Sequence, residues 1–587
     1  MSVFGHGYAP PGVVPGRPGG KLRVTKQTGA SLSGDAANPT GRVVAGVVVM
    51  SGDATDRAFV LGLDGVPWAF VEDWVADGQL PNLRRLVEEG AAGPLRSTRP
   101  ANTPAAWPSI ATGVWPDRHG IYEFVRPTPE YGQRLSTATD LRAPAVWDVL
   151  GPAAVGNVPM TYPASPIDGR MVTGMMTADR DPGGGFTHPP SLAEDVRERI
   201  PAYEVGLDWK EYYDREDAFL ADLRELFEAR RELLRLLLER AEPDPRLVFF
   251  VFTAPDRLQH LVWDREVLRE QYALFDEVVG EALAICERRG YTLYVVSDHG
   301  FGPVDRLVRV NRILADEGYL ARRESGVRGV LDRVGLTKDR VLDGLERVGV
   351  TDDLLVRALP GAVVDAAAGA VPGDHGLYDV DPSGTTAFLH GIGSVYVNDS
   401  RRFERGTVDP SAIPAVRREL RDVLESVRDP ATGERPLAVY EGEGAGGRDP
   451  DGPDLIVEAR GRYRTDPTLG EDTFASAERA ADHRPEGIFL AHGPHVEAGA
   501  TPASATVVDV LPTLCHALGE PVPARADGRV LDEVFVPGSP PAERAVSSRR
   551  YAADGAVDGG AGGDDRSDDE ASFDEVEERL RGLGYVE

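Results

Sequence analysis

The feature that most constrains the fold is a set of three short apolar runs separated by longer polar stretches. They are Ala58–Leu63, Arg246–Phe252 and Thr292–Val296. Runs of this length are typical of strands that are buried on both faces of a sheet. The second and third runs each follow a helical pattern, at Asp217–Glu239 and Glu266–Arg288, with apolar residues three or four positions apart. This alternation of helix and strand predicts a parallel α/β sheet.

Acidic residues follow each of the three predicted strands, and histidines lie close to two of them in the sequence. Because ligands collect beyond the carboxyl ends of parallel strands, we expect these acids to converge in one crevice. Carboxylate oxygen and imidazole nitrogen together suit zinc, and also manganese or iron. With one later histidine, the candidate metal ligands are Asp64, Asp256, Asp298, His260, His299 and His483.

Each of these signals is weak when it is taken alone. An Asp-Gly pair after a strand, as at Asp64, more often marks a turn, and an Asp and a His four residues apart often lie on a helix surface. Thr103 precedes a proline, as many turn residues do, and His119 is better interpreted as a structural residue than as a ligand. Their shared order and their positions after strands favour a single site.

In this order the segments resemble the type I phosphodiesterase/nucleotide pyrophosphatase branch of the alkaline phosphatase superfamily. The resemblance covers about residues 57–302 and 476–535. The matching segments are Asp64-Gly65, Asn102-Thr103-Pro104, TGVWPDRHGI at 112–121, PDRLQH at 255–260, SDHG at 297–300 and the late His483. The resemblance implies an alkaline-phosphatase-like α/β/α sandwich, with a mostly parallel central sheet and inserted cap elements.

The resemblance also implies two divalent metal ions, zinc in the first place and manganese or iron as alternatives. One ion would be held by Asp64, Asp298 and His299, with Thr103 bound to it. The other would be held by Asp256, His260 and His483. Thr103 would be the catalytic nucleophile and would form a phosphothreonine intermediate, because metal coordination favours the alkoxide of its hydroxyl.

The expected function is therefore metal-dependent hydrolysis of a small phosphate ester or a nucleotide-like substrate. A phosphomonoesterase, a phosphomutase or a phosphonate hydrolase on the same core remains an alternative, as does a non-catalytic metal-binding module. A sulfatase is not expected, since neither Cys286 nor Cys515 lies in the required Cys/Ser-x-Pro-x-Arg frame. Phe124 occupies the place where nucleotide pyrophosphatases carry an asparagine that holds a phosphoryl oxygen, so this donor is missing or is supplied from elsewhere.

Composition along the chain predicts four parts. The first 49 residues are rich in Gly and Pro and carry five basic residues against one acid, and Met50 resembles a normal start. Such a segment has too little apolar content to fold alone. The parts are a disordered arm at 1–56, absent from the cell if translation begins at Met50; a catalytic domain at 57–538 with insertions near 125–215 and 303–475; an acidic flexible linker at 539–571; and a docking helix at 572–587.

The net charge of −31 argues against nucleic-acid binding through a basic face. Four of the 64 basic residues are lysines, which is typical of proteins from salt-loving microbes, although a GC-rich genome also favours arginine. No apolar run reaches the ~18 residues that a membrane span needs, and no signal-peptide pattern is present. We therefore expect a halophilic cytoplasmic protein whose two cysteines are free and buried.

Overall fold

The computed structural model describes residues 57–178, 180, 184–201, 203–207, 212, 215–239, 244–323, 377, 379–441, 449–477 and 479–551. The predicted arm at 1–56 and the predicted docking helix at 572–587 lie outside the described residues. All described residues belong to one compact unit, residues 54–587.

Strands β1 to β21 occupy, in chain order, Arg57–Leu63, Ala91–Arg96, Val125–Pro127, Gln133–Leu135, Ala153–Val158, Gly169–Thr173, Thr187–His188, Leu247–Phe252, Tyr291–Val296, Gly300–Pro303, Arg306–Arg309, Ala387–His390, Ser394–Val397, Leu437–Tyr440, Leu455–Ala459, Tyr463–Asp466, Phe474–Ser476, Ala481–Arg484, Glu486–His492, Val522–Pro523 and Ser548–Arg549. The α-helices occupy Trp68–Ala76, Pro81–Glu89, Thr103–Thr112, Pro116–His119, Val146–Val149, Leu192–Arg199, Glu216–Glu239, Ala254–Leu261, Arg265–Arg289, Val310–Asp316, Ile413–Ser426, Val510–Ala517 and Pro540–Glu543.

The largest sheet of the described residues has eight strands in the order β2-β19-β9-β1-β8-β5-β6-β7. The five strands from β9 to β6 run parallel to their neighbours, whereas β19 and β7 are antiparallel to theirs. In the middle of the sheet, Leu61 of β1 lies between Phe250 of β8 and Val295 of β9. The predicted strands and the mostly parallel central sheet are therefore confirmed.

Helices cover both faces of this sheet, because successive side chains of each strand point to opposite sides. Phe59 and Leu61 belong to one apolar core, together with residues of the helices Glu216–Glu239 and Arg265–Arg289. Val60 belongs to a second core, together with residues of the helices Thr103–Thr112 and Val510–Ala517. Two cores on opposite faces of one sheet make the predicted three-layer α/β/α sandwich, and each fully buried Leu or Phe contributes about 1.5–3 kcal/mol.

The prediction of an insertion near 125–215 is wrong for much of that segment. Strands β5, β6 and β7 extend the central sheet beyond β8, so this part of the chain belongs to the α/β/α body. The sequence of β5 is AAVGNV and that of β6 is GRMVT. Their glycines and polar residues interrupt the apolar pattern that marked the other central strands, which explains why the sequence did not indicate them.

A smaller unit lies between β10 and β18, which pair as a two-stranded sheet of their own, and we call residues 304–480 the cap. Its described residues form a four-stranded sheet, β12-β13-β15-β14, and a three-stranded sheet, β16-β11-β17. Phe388, Leu420 and Leu455 are among the residues of its own apolar core. Strands β10 and β18 pair antiparallel, with Pro303 opposite Ala481, so the two ends of the cap are adjacent.

The body of the protein extends further than the predicted domain end at residue 538. Residues 540–543 form a helix, and β21 pairs with β20. The Tyr551 hydroxyl donates a hydrogen bond to the backbone carbonyl of Pro521 at 2.9 Å. Residues 540–551 of the predicted linker thus pack on the body, and the rest of the predicted linker lies outside the described residues.

Two further observations bear on the sequence-based expectations. Within the described part of the chain, no helix is both long enough and apolar enough to cross a bilayer. Cys286 and Cys515 are both buried and form no disulfide.

Candidate active site

The carboxyl ends of three adjacent strands bring the predicted acids together. Strand β1 ends at Leu63, directly before Asp64, and β9 ends two residues before Asp298. Strand β8 leads into the helix Ala254–Leu261, whose first turn contains Asp256. Because β1 lies between β8 and β9, the three carboxylates meet at one edge of the sheet, and each is at most 1% exposed.

One cluster of possible metal ligands contains Asp64, His299 and Asp256, whose ligand atoms all lie within 4.8 Å of one another. Asp298 also lies at this cluster, with its Oδ2 3.3 Å from Nε2 of His299. Its other oxygen, Oδ1, accepts a hydrogen bond from the backbone N–H of Gly65 at 3.1 Å. The structure thus brings together all the ligands predicted for the first ion, and it adds Asp256.

The second cluster contains Asp256, His260 and His483. Oδ1 of Asp256 lies 3.4 Å from Nε2 of His260 and 3.2 Å from Nε2 of His483, and the two Nε2 atoms are 3.0 Å apart. Asp256 and His260 reach the same point because residues four apart share one face of a helix. His483 comes from β18, where it lies opposite Phe301 of β10. Asp256 therefore belongs to both clusters.

Burial and mutual repulsion dominate the electrostatics of the first cluster. Burial, with the charges of Asp298 and Asp256, holds the pKa of Asp64 well above its usual range. Burial and Asp256 raise the pKa of Asp298 to about 8. Burial, with the nearby His483, lowers the pKa of His299 to about 4. Three buried carboxylates in one place are costly by themselves, and a bound cation offsets that cost.

Asp256 behaves differently from the other two acids. Burial alone would raise the pKa of its carboxyl group, but the rings of His260 and His483 outweigh burial and hold the pKa well below its usual range. Asp256 is therefore the carboxylate that most readily stays ionised in the site.

The donor set fits divalent metal ions. Oδ1 of Asp64 and Oδ2 of Asp298 are buried and accept no hydrogen bond from any described residue. Leaving such a charged oxygen unsatisfied is expensive, whereas a divalent cation would satisfy it. Nitrogen and oxygen donors in two clusters that share one carboxylate are suitable for zinc or manganese.

Thr103 is the first residue of the helix Thr103–Thr112 and is fully buried. Its Oγ1 lies 3.2 Å from Nε2 of His299. On the other side of that ring, Nδ1 donates a hydrogen bond to the carbonyl of Gly300 at 3.0 Å. Since a carbonyl can only accept, the lone pair of His299 is on Nε2, which faces the threonine hydroxyl and the carboxylates.

Two residues to which the sequence analysis assigned no role support the position of Thr103. The side chain of Asn102 caps the helix by accepting a hydrogen bond from the N–H of Ala105 at 3.2 Å. Its amide donates to Oε2 of Glu123 at 3.0 Å, and Oε1 of Glu123 accepts from the N–H of Ile392 at 3.3 Å in the cap. Burial raises the pKa of Glu123 to about 8. This network fixes the residue directly before Thr103.

The residues of the His-Gly-Ile segment play structural parts. Nε2 of His119 lies 2.9 Å from the Ser109 hydroxyl, and its Nδ1 accepts from the N–H of Ile121 at 3.2 Å. Burial lowers the pKa of His119 to about 3, so the ring is neutral. Phe124 packs in a small apolar cluster with Ile121 and Met160. It supplies no hydrogen-bond donor to the site.

Trp107 is a further residue that the sequence did not indicate. It lies one turn after Thr103 on the same helix, and its Nε1 donates to Oδ2 of Asp64 at 3.1 Å. The indole packs directly over Gly62 of β1, where an added Cβ would lie 2.4 Å from Cη2 of Trp107. Gly62 thus leaves the space that lets the indole reach the carboxylate.

We expect Gly62→Ala to destabilise the protein by about 1–3 kcal/mol, because the added methyl group must displace Trp107 in a fully packed core. Chemical denaturation of the two proteins measures this change. Gly132→Ala is the matched control, since Gly132 is exposed and its Cβ would meet only the Thr128 hydroxyl, at 3.2 Å. An unchanged free energy of unfolding in Gly62→Ala would contradict the packing described above.

The chain is similar to known proteins in two of three comparisons. The sequence model of the type I phosphodiesterase / nucleotide pyrophosphatase family matches residues 58–484. Murine ectonucleotide pyrophosphatase / phosphodiesterase 5, solved as an inactive form in complex with AMP, is 12% identical with a TM-score of 0.44, over 80% of this chain and 96% of that chain. The human protein of the same name is 12% identical with a TM-score of 0.44, over 79% of this chain and 95% of that chain.

No curated protein sequence matches the chain. The family model nevertheless spans well over half of the 587 residues and includes every candidate ligand and Thr103. The chain therefore belongs to the type I phosphodiesterase / nucleotide pyrophosphatase family of the alkaline phosphatase superfamily and is a phosphoric ester hydrolase.

Proposed function

We propose that the protein hydrolyses phosphodiesters, including nucleotide-like ones, through a phosphothreonine intermediate on Thr103 at a site for two zinc ions. The observation that carries the proposal is the position of the Thr103 hydroxyl. It is fully buried and lies 3.2 Å from Nε2 of His299, beside two ligand clusters that share Asp256. A buried hydroxyl at the junction of strand-end carboxylates is suited to attack on phosphorus rather than to a turn.

The ligand roles follow from the two clusters. Asp64, Asp298 and His299 would hold the ion to which the Thr103 oxygen binds, and Asp256, His260 and His483 would hold the other. Bound divalent ions would lower the pKa of the threonine hydroxyl and offset the negative charge of the phosphoryl oxygens. The hydrogen bond from Nδ1 of His299 to Gly300 keeps Nε2 available as a ligand.

The reaction proposed for this chain has two displacements. In the first, the Thr103 hydroxyl gives up its proton to solvent and its oxygen bonds to phosphorus, while the bond from phosphorus to the leaving oxygen breaks and the leaving group departs with the electron pair. In the second, a water oxygen bonds to the phosphorus of the phosphothreonine, the P–O bond to Thr103 breaks, and a proton from that water restores the hydroxyl. The start of the helix Thr103–Thr112 favours this, because the positive end of the helix dipole attracts phosphoryl oxygens.

The start of the same helix offers a replacement for the hydrogen-bond donor that is missing at Phe124. Phe124 packs in an apolar cluster, so the side-chain amide that an asparagine would supply at this position is absent. The side chain of Asn102 does not replace it, because its amide donates to the Tyr122 carbonyl and to Glu123. We propose that the backbone N–H of Thr103 is the donor that contacts the phosphoryl group.

A pair of aryl esters tests the proposal. Methyl 4-nitrophenyl phosphate is a diester, and 4-nitrophenyl phosphate is the monoester with the same leaving group. In molar potassium chloride with added zinc or manganese, we expect the higher kcat/KM for the diester. A higher value for the monoester would favour a phosphomonoesterase, and turnover of neither ester with either metal would favour a non-catalytic metal-binding module.

A further inference from the structure

The backbone of Gly65 lies where the two ligand clusters meet. Its N–H donates a hydrogen bond at 3.1 Å to Oδ1 of Asp298, a proposed ligand of the first ion. Gly65 has a φ of +72°, and a Cβ added there would lie 3.0 Å from Cα of Asp256 in the helix Ala254–Leu261. Glycine is therefore required both by the left-handed conformation and by the close approach of the helix. The turn after β1 thus packs directly against the helix that carries two proposed ligands of the second ion.

Gln259 lies directly before the proposed ligand His260 and bonds to that turn. Its Nε2 donates to the carbonyl of Gly65 at 2.9 Å and to the carbonyl of Pro255, on its own helix, at 3.1 Å. Its Oε1 accepts a hydrogen bond from the hydroxyl of Tyr272 at 3.2 Å. Because the two carbonyls can only accept, the nitrogen of the amide must face them, and its oxygen must face the tyrosine.

The amide of Gln259 has no further hydrogen atom to offer to a substrate. Gln259 is 1% exposed, and both hydrogen atoms of its amide nitrogen are used by the two carbonyls. A buried amide is costly unless its hydrogen bonds are made, so these bonds are what the glutamine contributes. Gln259 also lines a cavity of about 860 Å³ beside His260. A contact with the substrate across this cavity is the alternative that kinetics must separate.

Tyr272 holds the amide of Gln259 in place from the other side. Tyr272 is 1% exposed, belongs to an apolar core of the body, and packs against Trp74 with ring centroids 4.8 Å apart. A rotation of the Gln259 amide would break its bonds to Gly65 and to Tyr272 together. The row of contacts from Tyr272 through Gln259 and Gly65 to Asp298 therefore joins the apolar core to a proposed metal ligand.

We propose that Gln259 is a positioning residue that sets the distance between the two metal sites. It ties the helix of Asp256 and His260 to the turn that bonds Asp298, so one side chain acts on ligands of both clusters. The inference rests on the proposed function, because it takes both clusters as metal sites. Hydrogen bonds behind the ligands fix the geometry in which they meet an ion, and losing one typically costs about 10–100-fold in metal affinity or activity.

Zinc binding tests this role without catalysis. In a titration of metal-free protein against a competing zinc chelator, we expect Gln259→Met to weaken the binding of both ions at least about tenfold, because methionine keeps the length of the side chain and removes its hydrogen bonds. Tyr272→Phe removes only the hydroxyl that orients the amide and should weaken both ions by about threefold. Gln271→Met is the matched control, since Gln271 is 7% exposed on the helix Arg265–Arg289 and stands outside this row of contacts.

Kinetics at saturating zinc or manganese give the second readout. On methyl 4-nitrophenyl phosphate, we expect Gln259→Met to lower kcat at least about tenfold and to change KM less than about threefold, because the ligands shift while the contacts with the substrate remain. A higher KM with an unchanged kcat would make Gln259 a substrate contact and overturn the positioning role. Thermal unfolding of the metal-free proteins verifies that the variants are folded. If Gln259→Met does not fold, unchanged zinc affinities in Tyr272→Phe would overturn the inference.

The outcomes separate the two proposals. Unchanged zinc affinities in Gln259→Met, a loss confined to one ion, or an equal loss in Gln271→Met would overturn the positioning role and leave the proposed function standing. Wild-type protein that binds zinc but turns over neither aryl ester would refute the proposed function, and the zinc affinities would then decide on Gln259 alone. Wild-type protein that binds neither zinc nor manganese would overturn both proposals.

Discussion

Replacing Thr103 by alanine is expected to lower kcat by at least about 10³-fold while leaving the metal content unchanged. The alanine removes the oxygen that lies 3.2 Å from His299 and leaves the side chains of both clusters intact. Its smaller volume also keeps the helix start and the Asn102 cap in place. The measurement is steady-state turnover of the aryl diester, together with elemental analysis of the same dialysed protein.

Thr103→Ser is the control for this experiment, because it keeps a hydroxyl at the same position. We expect it to retain a substantial part of the activity that the alanine variant loses. In the wild-type protein, a quench of the reaction with acid should leave phosphate covalently bound to residue 103. Wild-type turnover in Thr103→Ala would rule out this residue as the nucleophile.

The second large effect is expected from His483→Ala. Wild-type protein should contain two divalent ions per chain, and the variant should contain about one, because the second cluster is reduced from three ligands to two. We expect kcat/KM to fall at least about 100-fold, since one of the two ions that stabilise the displacement is lost. Elemental analysis and turnover of the same preparations measure both quantities.

Asp256→Asn provides a contrast, because the carboxylate of Asp256 lies in both clusters. The amide keeps the shape of the side chain but removes its charge, so this variant should lose more metal than His483→Ala. Wild-type protein with one ion or none would contradict the two-ion site. Two ions retained in His483→Ala would show that His483 is not a ligand.

The central strands and their helices could be predicted closely from the sequence because burial on both faces leaves an uninterrupted apolar run. The predicted strand Thr292–Val296 differs from the observed β9 by one residue at its start. Strands β5 and β6 could not be predicted in this way, since Gly156 and Gly169 interrupt their patterns. Gly156 is required there by packing, because an added Cβ would lie 2.5 Å from the ring of Phe250.

The candidate site, like the fold, could be predicted from the sequence only in part. Residue types and positions after strands indicated the three acids and the two neighbouring histidines, because metal ligands are few in kind and strand ends converge, whereas the roles of Thr103 and the late His483 followed from the resemblance to the family. Trp107 and Glu123 could not be found, since tryptophan and glutamate mark no chemistry by themselves and act here through contacts with Asp64 and Asn102. Asp256 belongs to both ligand clusters because of the angle at which its helix meets two strands. A local sequence pattern does not predict that angle.

The adjacent ends of the cap have a consequence for the evolution of this enzyme. Because Pro303 lies opposite Ala481, a segment of any length can leave and re-enter the body at nearly one point. Natural exchange of that segment would replace the whole cap, while His299, directly before β10, and His483, on β18, stay in place. The cap can therefore be exchanged as a single module that leaves both ligand clusters intact.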